Sequence, residues 1–255
     1  MSKKVETFIF VHDQQIVLDF EKINKFSNLS NFKYVFLGNR DIDKIKYVSN
    51  IIFARDYEDS IDDEYDKKLL AFSGWYLIWK NQLSDADFIN LFEYDIILDQ
   101  DFEKIQSEIL DSTDVSFMGY QSININDYWY IGDLSCSESL IKSIKKNYDV
   151  DYYDLINSLP SEVYVTITSN HSFDKKHFND YMRWMEPMID DIKNEPMSGH
   201  MPERSVSMYY LINKIENVIC NSNILQHYRL DSHQTQSQPK DYIETSYDKI
   251  IKNNI

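Results

Sequence analysis

Two carboxylates stand two residues apart in Glu93-Tyr94-Asp95, where the apolar run Phe88-Ile89-Asn90-Leu91-Phe92 ends. In extended chain such a pair lies on one side of the backbone, with roughly 7 Å between its Cα atoms. That geometry lets both converge on one divalent cation, or divides them between a metal and a ribose; it also fits a plain solvated strand end. Asp99-Gln100-Asp101 repeats the spacing directly before a helical stretch at 102–110. Asp is favoured there as a cap and by the helix dipole, so capping is its expected role. A further concentration of polar groups is Gly199-His200-Met201-Pro202-Glu203-Arg204. Pro202 suits a first helical position, which puts Glu203 in the first turn and His200 on the loop before it. A carboxylate so placed either complements the helix dipole or serves as general base to a hydroxyl within hydrogen-bond reach. His227 follows the β-like run 218–225. It is either a structural histidine or a neutral imidazole offered to a metal.

The elements that must position these groups are legible as short β-rich runs at 5–11, 34–37, 51–53, 88–92 and 115–119, mostly separated by helical periodicity. The alternation predicts an α/β fold with a mostly parallel central sheet flanked by crossover helices. Such sheets bind ligands beyond the carboxyl ends of their strands, which is where Glu93 and Asp95 fall. The clearest helix spans 67–81, where Phe72, Trp75, Tyr76 and Trp79 recur at helical spacing and build one aromatic face. The acidic segment 56–66 before it reads as a solvated loop.

After Gly119 the pattern is less regular. A polar, aromatic stretch at 124–132 leads to helices at 137–147 and 151–158 and a β-like segment at 163–168. The helical stretch 174–193 must kink, or end at Glu186, because of Pro187. The helix from Pro202 shows Met208, Leu211, Ile212 and Ile215 as its apolar face. The expected organisation is one domain over 1–231, with 1–119 as a ligand-binding half and 120–231 as a second half; the polar segment 232–255 reads as a peripheral tail.

Composition narrows the function classes. The chain of 255 residues is 43% hydrophobic and 15% aromatic with only five Gly and five Pro, which excludes a low-complexity architecture. A net charge of −16 repels a phosphate backbone, so no nucleic-acid partner is expected. Any polyanionic ligand must meet a local cation, and a metal at an acidic pair supplies one. Cys136 and Cys220 show no metal-ligand spacing and suggest no disulfide framework, which fits a reducing, cytoplasmic setting. The apolar run 8–11 is too short for a signal-peptide core, and no window approaches the roughly 18 apolar residues of a membrane span. The sequons at Asn28 and Asn170 then read as chance matches.

The segment Ser73-Gly74-Trp75-Tyr76-Leu77-Ile78-Trp79-Lys80-Asn81, followed by Asp87-Phe88-Ile89-Asn90-Leu91, resembles the helix and strand of the DUF4422 glycosyltransferases found in capsular polysaccharide and exopolysaccharide clusters. The later Gly199–Arg204 block and the opening strand 7–12 are similar to that family in the same order. Where the family continues its strand with a basic sequence, this chain has Phe92-Glu93-Tyr94-Asp95, which instead resembles the Asp-x-Asp signature of the wider GT-A fold.

The resemblance implies a GT-A-like enzyme, assisted by Mn²⁺ or Mg²⁺, that moves a sugar from a UDP-, GDP- or dTDP-linked donor to a hydroxyl of a glycan acceptor. It implies Asp95 as metal ligand, Glu93 as a ribose or metal contact, Glu203 as catalytic base, Val11 and His12 beside the nucleotide base, and Arg55 on the nucleotide. Tyr128, Trp129 and Asp133, with His200, are acceptor-side candidates, since aromatics stack on sugar faces and serve equally well in a core. The unusual Glu-Tyr-Asp motivates an alternative, a non-catalytic glycan-binding or assembly protein with the same fold. A phosphohydrolase is disfavoured because the first strand ends in His12-Asp13 and not in a pair of aspartates.

Overall fold

The structure is a computed structural model that describes residues 3–38, 40–59, 69–120, 122–127, 134–160, 163–166, 168–196, 198–220 and 224–227, the side chains of 135, 136, 226 and 227 excepted. The first strand, β1 (Val5–Val11), alternates strictly: Phe8 and Phe10 enter one apolar cluster, Ile9 and Val11 the other. A strand covered on both faces has to be apolar on both, as strands of a central parallel sheet are. β2 (Phe32–Phe36) and β3 (Ile51–Phe53) lie to one side of β1, and β4 (Phe88–Glu93) lies to the other, all parallel.

Beyond β4 come β9 (His171–Asp174), β6 (Phe117–Gly119) and β10 (Val218–Cys220), giving the order β10-β6-β9-β4-β1-β2-β3. β9 runs antiparallel to both neighbours, while β6 and β10 are parallel to each other. The expected mostly parallel sheet is therefore present, with one reversed strand inserted near its middle. Two antiparallel ribbons lie outside it: β5 (Ile96–Leu98) with β11 (Leu225–His227), and β7 (Ser122–Asn124) with β8 (Tyr164–Thr166).

Helix α1 (Gln14–Ile23) is capped by Asp13, whose Oδ1 accepts from the Gln15 N–H at 2.7 Å, and it packs with α3 (Phe102–Ser112) on the Ile9/Val11 face. On the Phe8/Phe10 face lies α2 (Ala71–Lys80), with the helices of the second half: α4 (Glu138–Tyr148), α5 (Tyr152–Ser158), α6 (Lys175–Met185), α7 (Ile189–Ile192) and α8 (Met201–Ile212). A Cβ at Gly74 would stand 2.4 Å from the Phe10 ring, so α2 approaches β1 more closely than any larger residue permits.

Two expected helix faces pack on the core as expected, but each buries more than the expected residues. In α2, Phe72 and Trp75 are buried as expected, but Leu77 and Ile78 are buried as well, while Tyr76 and Trp79 are half-buried. In α8 the buried side is polar as well as apolar: Ser205 and Ser207 are fully buried with Val206, Met208 and Tyr209, whereas Leu211, Ile212 and Ile215 are only half-buried. The hydroxyls find partners that make this tolerable. Ser207 Oγ donates to the Thr166 carbonyl at 3.1 Å and accepts from the Thr166 N–H at 3.1 Å, and Ser205 lies 2.6 Å from the Tyr181 hydroxyl.

Pro187 acts as expected: α6 ends at Met185 and a short 3-10 turn, Glu186–Met188, follows. β2 begins two residues before the expected run, and β6 covers only the last three residues of 115–119. The helix start expected at 67 and most of the acidic segment 56–66 lie outside the described residues, as does the tail 232–255.

A buried polar network fixes β4 from below. Asn90 donates to Thr7 Oγ1 at 3.0 Å and exchanges hydrogen bonds with Gln106 of α3 at 2.8 and 3.1 Å. Gln106 Nε2 also donates to the Tyr120 hydroxyl at 3.1 Å, which meets Ser172 of β9 at 2.8 Å. β1, β4, β9 and α3 are thereby held in one register beneath the strand end that carries Glu93.

Candidate active site

The reversed direction of β9 decides what meets Glu93. A parallel strand delivers its exit to the carboxyl edge of the sheet, whereas an antiparallel neighbour delivers its entry there. Ser169 and Asn170 consequently stand beside the end of β4, and Asn170 Oδ1 accepts a hydrogen bond from the Glu93 N–H at 2.8 Å. One residue earlier, Ser169 Oγ donates to Glu203 Oε1 at 3.2 Å. Two adjacent residues thus tie the acidic strand end to the first turn of α8.

Glu93 and Asp95 are 8% and 5% exposed, so neither is a solvated strand end. Burying two carboxylates is costly unless charge or hydrogen bonds compensate. Tyr94 between them is buried, with its ring edge-on to His12 at 5.2 Å between centroids. Its carbonyl accepts from Lys25 Nζ at 2.9 Å, and that ammonium also lies 4.1 Å from the centre of the Phe20 ring. Burial pushes the Lys25 ammonium down to about 7, with the charge of Asp95 acting in the opposite sense. The Glu93–Asp95 segment is therefore gripped on both sides of its central tyrosine.

Beyond it the chain turns into β5, whose partner β11 sets His227 opposite Ile96, one residue along from Asp95. The backbone of His227 thus lies beside Asp95, where a metal-ligand role for both would require it. Among the described residues no group of three or more His, Cys, Asp or Glu side chains forms a cation cage. Mg²⁺ and Mn²⁺ in phosphate sites commonly take only one or two protein carboxylates, with substrate oxygens and water completing the shell. Asp95, with Glu93, fits that smaller donor set.

The competing pair behaves differently from expectation. Asp101 occupies the N-cap position of α3 but its side chain makes no capping bond; Asp99 Oδ1 instead accepts from the Asp101 N–H at 2.8 Å. Both are exposed at the surface.

The remaining donor-side candidates line the same edge. Val11 is fully buried at the end of β1, and its carbonyl accepts from the Leu37 N–H at 2.8 Å. His12 follows it, against Tyr94. Arg55, just past β3, is exposed and donates to the carbonyls of Gly38, at 3.1 Å, and of Arg40. It braces the loop after β2. The exits of β3, β1 and β4 therefore carry Arg55, His12 and Glu93 on the same edge of the sheet.

Glu203 sits in the first turn of α8, as expected, with side-chain exposure of 14%. Its Oε2 accepts from Arg204 at 3.0 Å and lies 3.4 Å from His200 Nδ1. Beneath it is His171, fully buried among Trp75, Phe117 and Phe173, with neither ring nitrogen hydrogen-bonded. Burial pushes its pKa down to about 3; Glu203 raises it and Arg204 lowers it further. Tyr128, Trp129 and Asp133 lie outside the described residues.

Sequence reasoning missed the positioning roles of Ser169, Asn170 and His171, since 168–171 shows no amphipathic period. The sequon at Asn170 did mark the position, and its complete burial bars it as a glycan acceptor in the folded chain.

No protein-family model matches the chain, and no curated protein sequence does. Among solved structures it is similar to the apo form of WbbM, a bifunctional glycosyltransferase, with a TM-score of 0.62 at 13% identity over 88% of this chain. The chain spans 45% of the length of WbbM. Glucosyl-3-phosphoglycerate synthase of M. tuberculosis is a more distant neighbour, with a TM-score of 0.49 at 7% identity over 98% of this chain and 78% of that one. A second structure of it, in complex with Mg²⁺ and uridine diphosphate, has a TM-score of 0.46 at 7% identity over 98% of this chain and 77% of that one. The fold is α/β and of the GT-A glycosyltransferase type. No helix among the described residues is long and apolar enough to cross a membrane.

Proposed function

We propose that the chain is a glycosyltransferase that moves a sugar from a nucleotide-sugar donor to a hydroxyl of a glycan acceptor with the help of Mn²⁺ or Mg²⁺, and that it is related to the DUF4422 group. The carrying observation is the convergence of Glu93 and Glu203 on the adjacent residues Asn170 and Ser169 at the carboxyl edge of the sheet. Ligands of open α/β sheets bind at that edge.

In this reading Val11 and His12 border the nucleotide base, Arg55 contacts the nucleotide, and Glu93 contacts the ribose or the metal. Asp95 and His227 would hold the cation, which supplies charge neutralisation to the leaving diphosphate. Glu203 accepts the proton of the acceptor hydroxyl through a carboxylate oxygen, while Ser169 and Arg204 keep that carboxylate oriented. His200, with Tyr128, Trp129 and Asp133, borders the acceptor. The protein works in the cytoplasm, where nucleotide sugars are available as substrates.

Calorimetric titration of the full chain with UDP-, GDP- and dTDP-sugars, with and without Mn²⁺, tests this reading. Metal-dependent binding of one donor is the expected result. Absence of binding by all three would overturn it, and saccharide binding without nucleotide affinity would turn the assignment to a glycan-binding protein.

A further inference from the structure

Lys25 is fixed by its backbone, by two rings and by a hydrogen bond, and sugar transfer as proposed gives it no role. Helix α1 leads into a left-handed Asn24, with φ of 50°. The Asn24 N–H returns to the Glu21 carbonyl at 3.3 Å and the Lys25 N–H to the Phe20 carbonyl at 3.0 Å, the paired bonds of a Schellman turn. That turn sends the Lys25 side chain back over Phe20, with Nζ 4.1 Å from the centre of its ring and 5.2 Å from that of Phe26. Nζ then donates to the Tyr94 carbonyl at 2.9 Å, on the peptide that leads into Asp95.

A carbonyl acceptor asks only for a neutral donor. Taking an ammonium out of water as well is costly unless an opposite charge compensates it. Asp95 is that charge: burial works against the charged amine, and the Asp95 carboxylate works for it. The relation is reciprocal, because Asp95 is itself buried and a buried carboxylate needs a cation near it. The same ammonium repels any divalent ion that Asp95 takes up.

We infer that Lys25 is a positioning residue of the candidate site: its ammonium stands in for the divalent cation, holding Asp95 and the Tyr94 peptide in place before the cation binds and weakening the uptake of that cation. The inference rests on the proposed cation-binding role of Asp95. Its mark is the direction of the effect. Removing a residue that only braces the turn weakens metal binding, whereas removing a competing charge strengthens it.

The test is Mn²⁺ calorimetry on the full chain, with thermal denaturation of the metal-free proteins. Lys25→Met, uncharged and of similar length, is expected to lower the metal-free melting temperature by several degrees. It should bind Mn²⁺ about tenfold more tightly than wild type, the low end of the effect of one nearby charge on a carboxylate. Lys25→Gln, neutral but still a donor, should shift Mn²⁺ affinity in the same direction, and Lys25→Arg, which keeps the charge, should bind Mn²⁺ as wild type does. Loss of the Tyr94 hydrogen bond is common to both backgrounds, so Lys25→Met should cost less melting temperature in Asp95→Asn than in wild type. Equal costs in the two backgrounds, or Mn²⁺ affinity in both neutral variants no higher than in wild type, would overturn the proposal. A smaller cost in the Asp95→Asn background with no Mn²⁺ binding by any of the proteins would instead overturn the cation-binding role of Asp95, and the stand-in role of Lys25 with it, leaving the two as a structural charge pair.

Discussion

Asn170 and Glu93 are joined through the Asn170 carboxamide oxygen, which accepts the Glu93 backbone N–H at 2.8 Å inside a fully buried junction between β9 and β4. The acidic strand end therefore takes its position from a side chain on a strand that enters the sheet from the opposite direction. Replacing Asn170 with Ala removes the acceptor and leaves a buried N–H unsatisfied, a cost of about 1–3 kcal/mol. The expected outcome is a fall in the denaturation midpoint together with weaker metal-dependent donor binding. Asn170→Asp, which keeps an acceptor oxygen, should recover more of the nucleotide affinity than Ala does. Equal donor affinity in all three proteins would show that the junction does not set the site.

Asp95 and Asp99 allow the metal assignment to be separated from general acidity. Asp95 is buried beside the gripped Tyr94, while Asp99 is exposed and engaged in a local turn. Asp95→Asn should abolish Mn²⁺-dependent nucleotide binding and sugar transfer with the melting temperature within a few degrees of wild type. Asp99→Asn should leave both intact. The reverse pattern would move the cation to the Asp99 turn.

Glu203 has the connections of an oriented base, with Ser169 on one oxygen and Arg204 on the other. Loss of a general base typically costs about 10²–10⁴ in rate. Glu203→Gln is expected to lower kcat by that range with donor affinity retained. Ser169→Ala, which releases only the orienting hydroxyl, should cost about tenfold or less, the scale of one lost hydrogen bond. A Glu203→Gln enzyme with wild-type turnover would leave Glu203 as a purely structural partner of Arg204.

Gln106 is the hub of the polar network beneath β4: it donates to the Asn90 carboxamide oxygen and to the Tyr120 hydroxyl and accepts from the Asn90 amide. Gln106→Leu strands Asn90 in the core at a cost of about 1–3 kcal/mol per orphaned group. Urea denaturation should show a loss of that size. Because both partners are then apolar, the double variant Asn90→Val, Gln106→Leu should recover part of it. Additive losses in the double variant would mean that the two side chains act independently.

The strands 5–11, 51–53 and 88–92 were legible because each is a short, mostly apolar run between turn signals, and the sheet buries both faces of β1 and β4. The acidic end of the candidate site was legible as a pattern for the same reason, since Glu93 and Asp95 break an apolar run at a strand exit. β9 was not legible: His171-Ser172-Phe173-Asp174 is polar at three of four positions, and only the Tyr120 hydroxyl opposite Ser172 and the aromatic cage around His171 make it a core strand. The buried face of α8 was hidden in the same way, because Ser205 and Ser207 satisfy their hydroxyls on Tyr181 and Thr166, far away in sequence. Sequence period reports burial by apolarity alone, so strands and faces buried through polar pairing escape it.

His171 gives the fold a predictable acid sensitivity. Its folded-state pKa is lowered to about 3 by burial, well below the unfolded value of about 6.5, so the unfolded chain binds a proton that the folded chain refuses. Stability from this residue is complete above about pH 6.5 and is lost progressively as pH falls toward 3. Between pH 7.5 and pH 5 the loss attributable to it is about 2 kcal/mol, from the ~1.36 kcal/mol carried by each unit of pH below the unfolded value. Other groups titrate over the same interval, so the comparison is with His171→Phe, which keeps a ring among Trp75, Phe117 and Phe173 and cannot be protonated. Urea denaturation of both proteins at the two pH values should give a pH dependence about 2 kcal/mol shallower in the variant. Parallel curves would show that the histidine is hydrated or protonated within the fold, and that its burial does not govern the acid response.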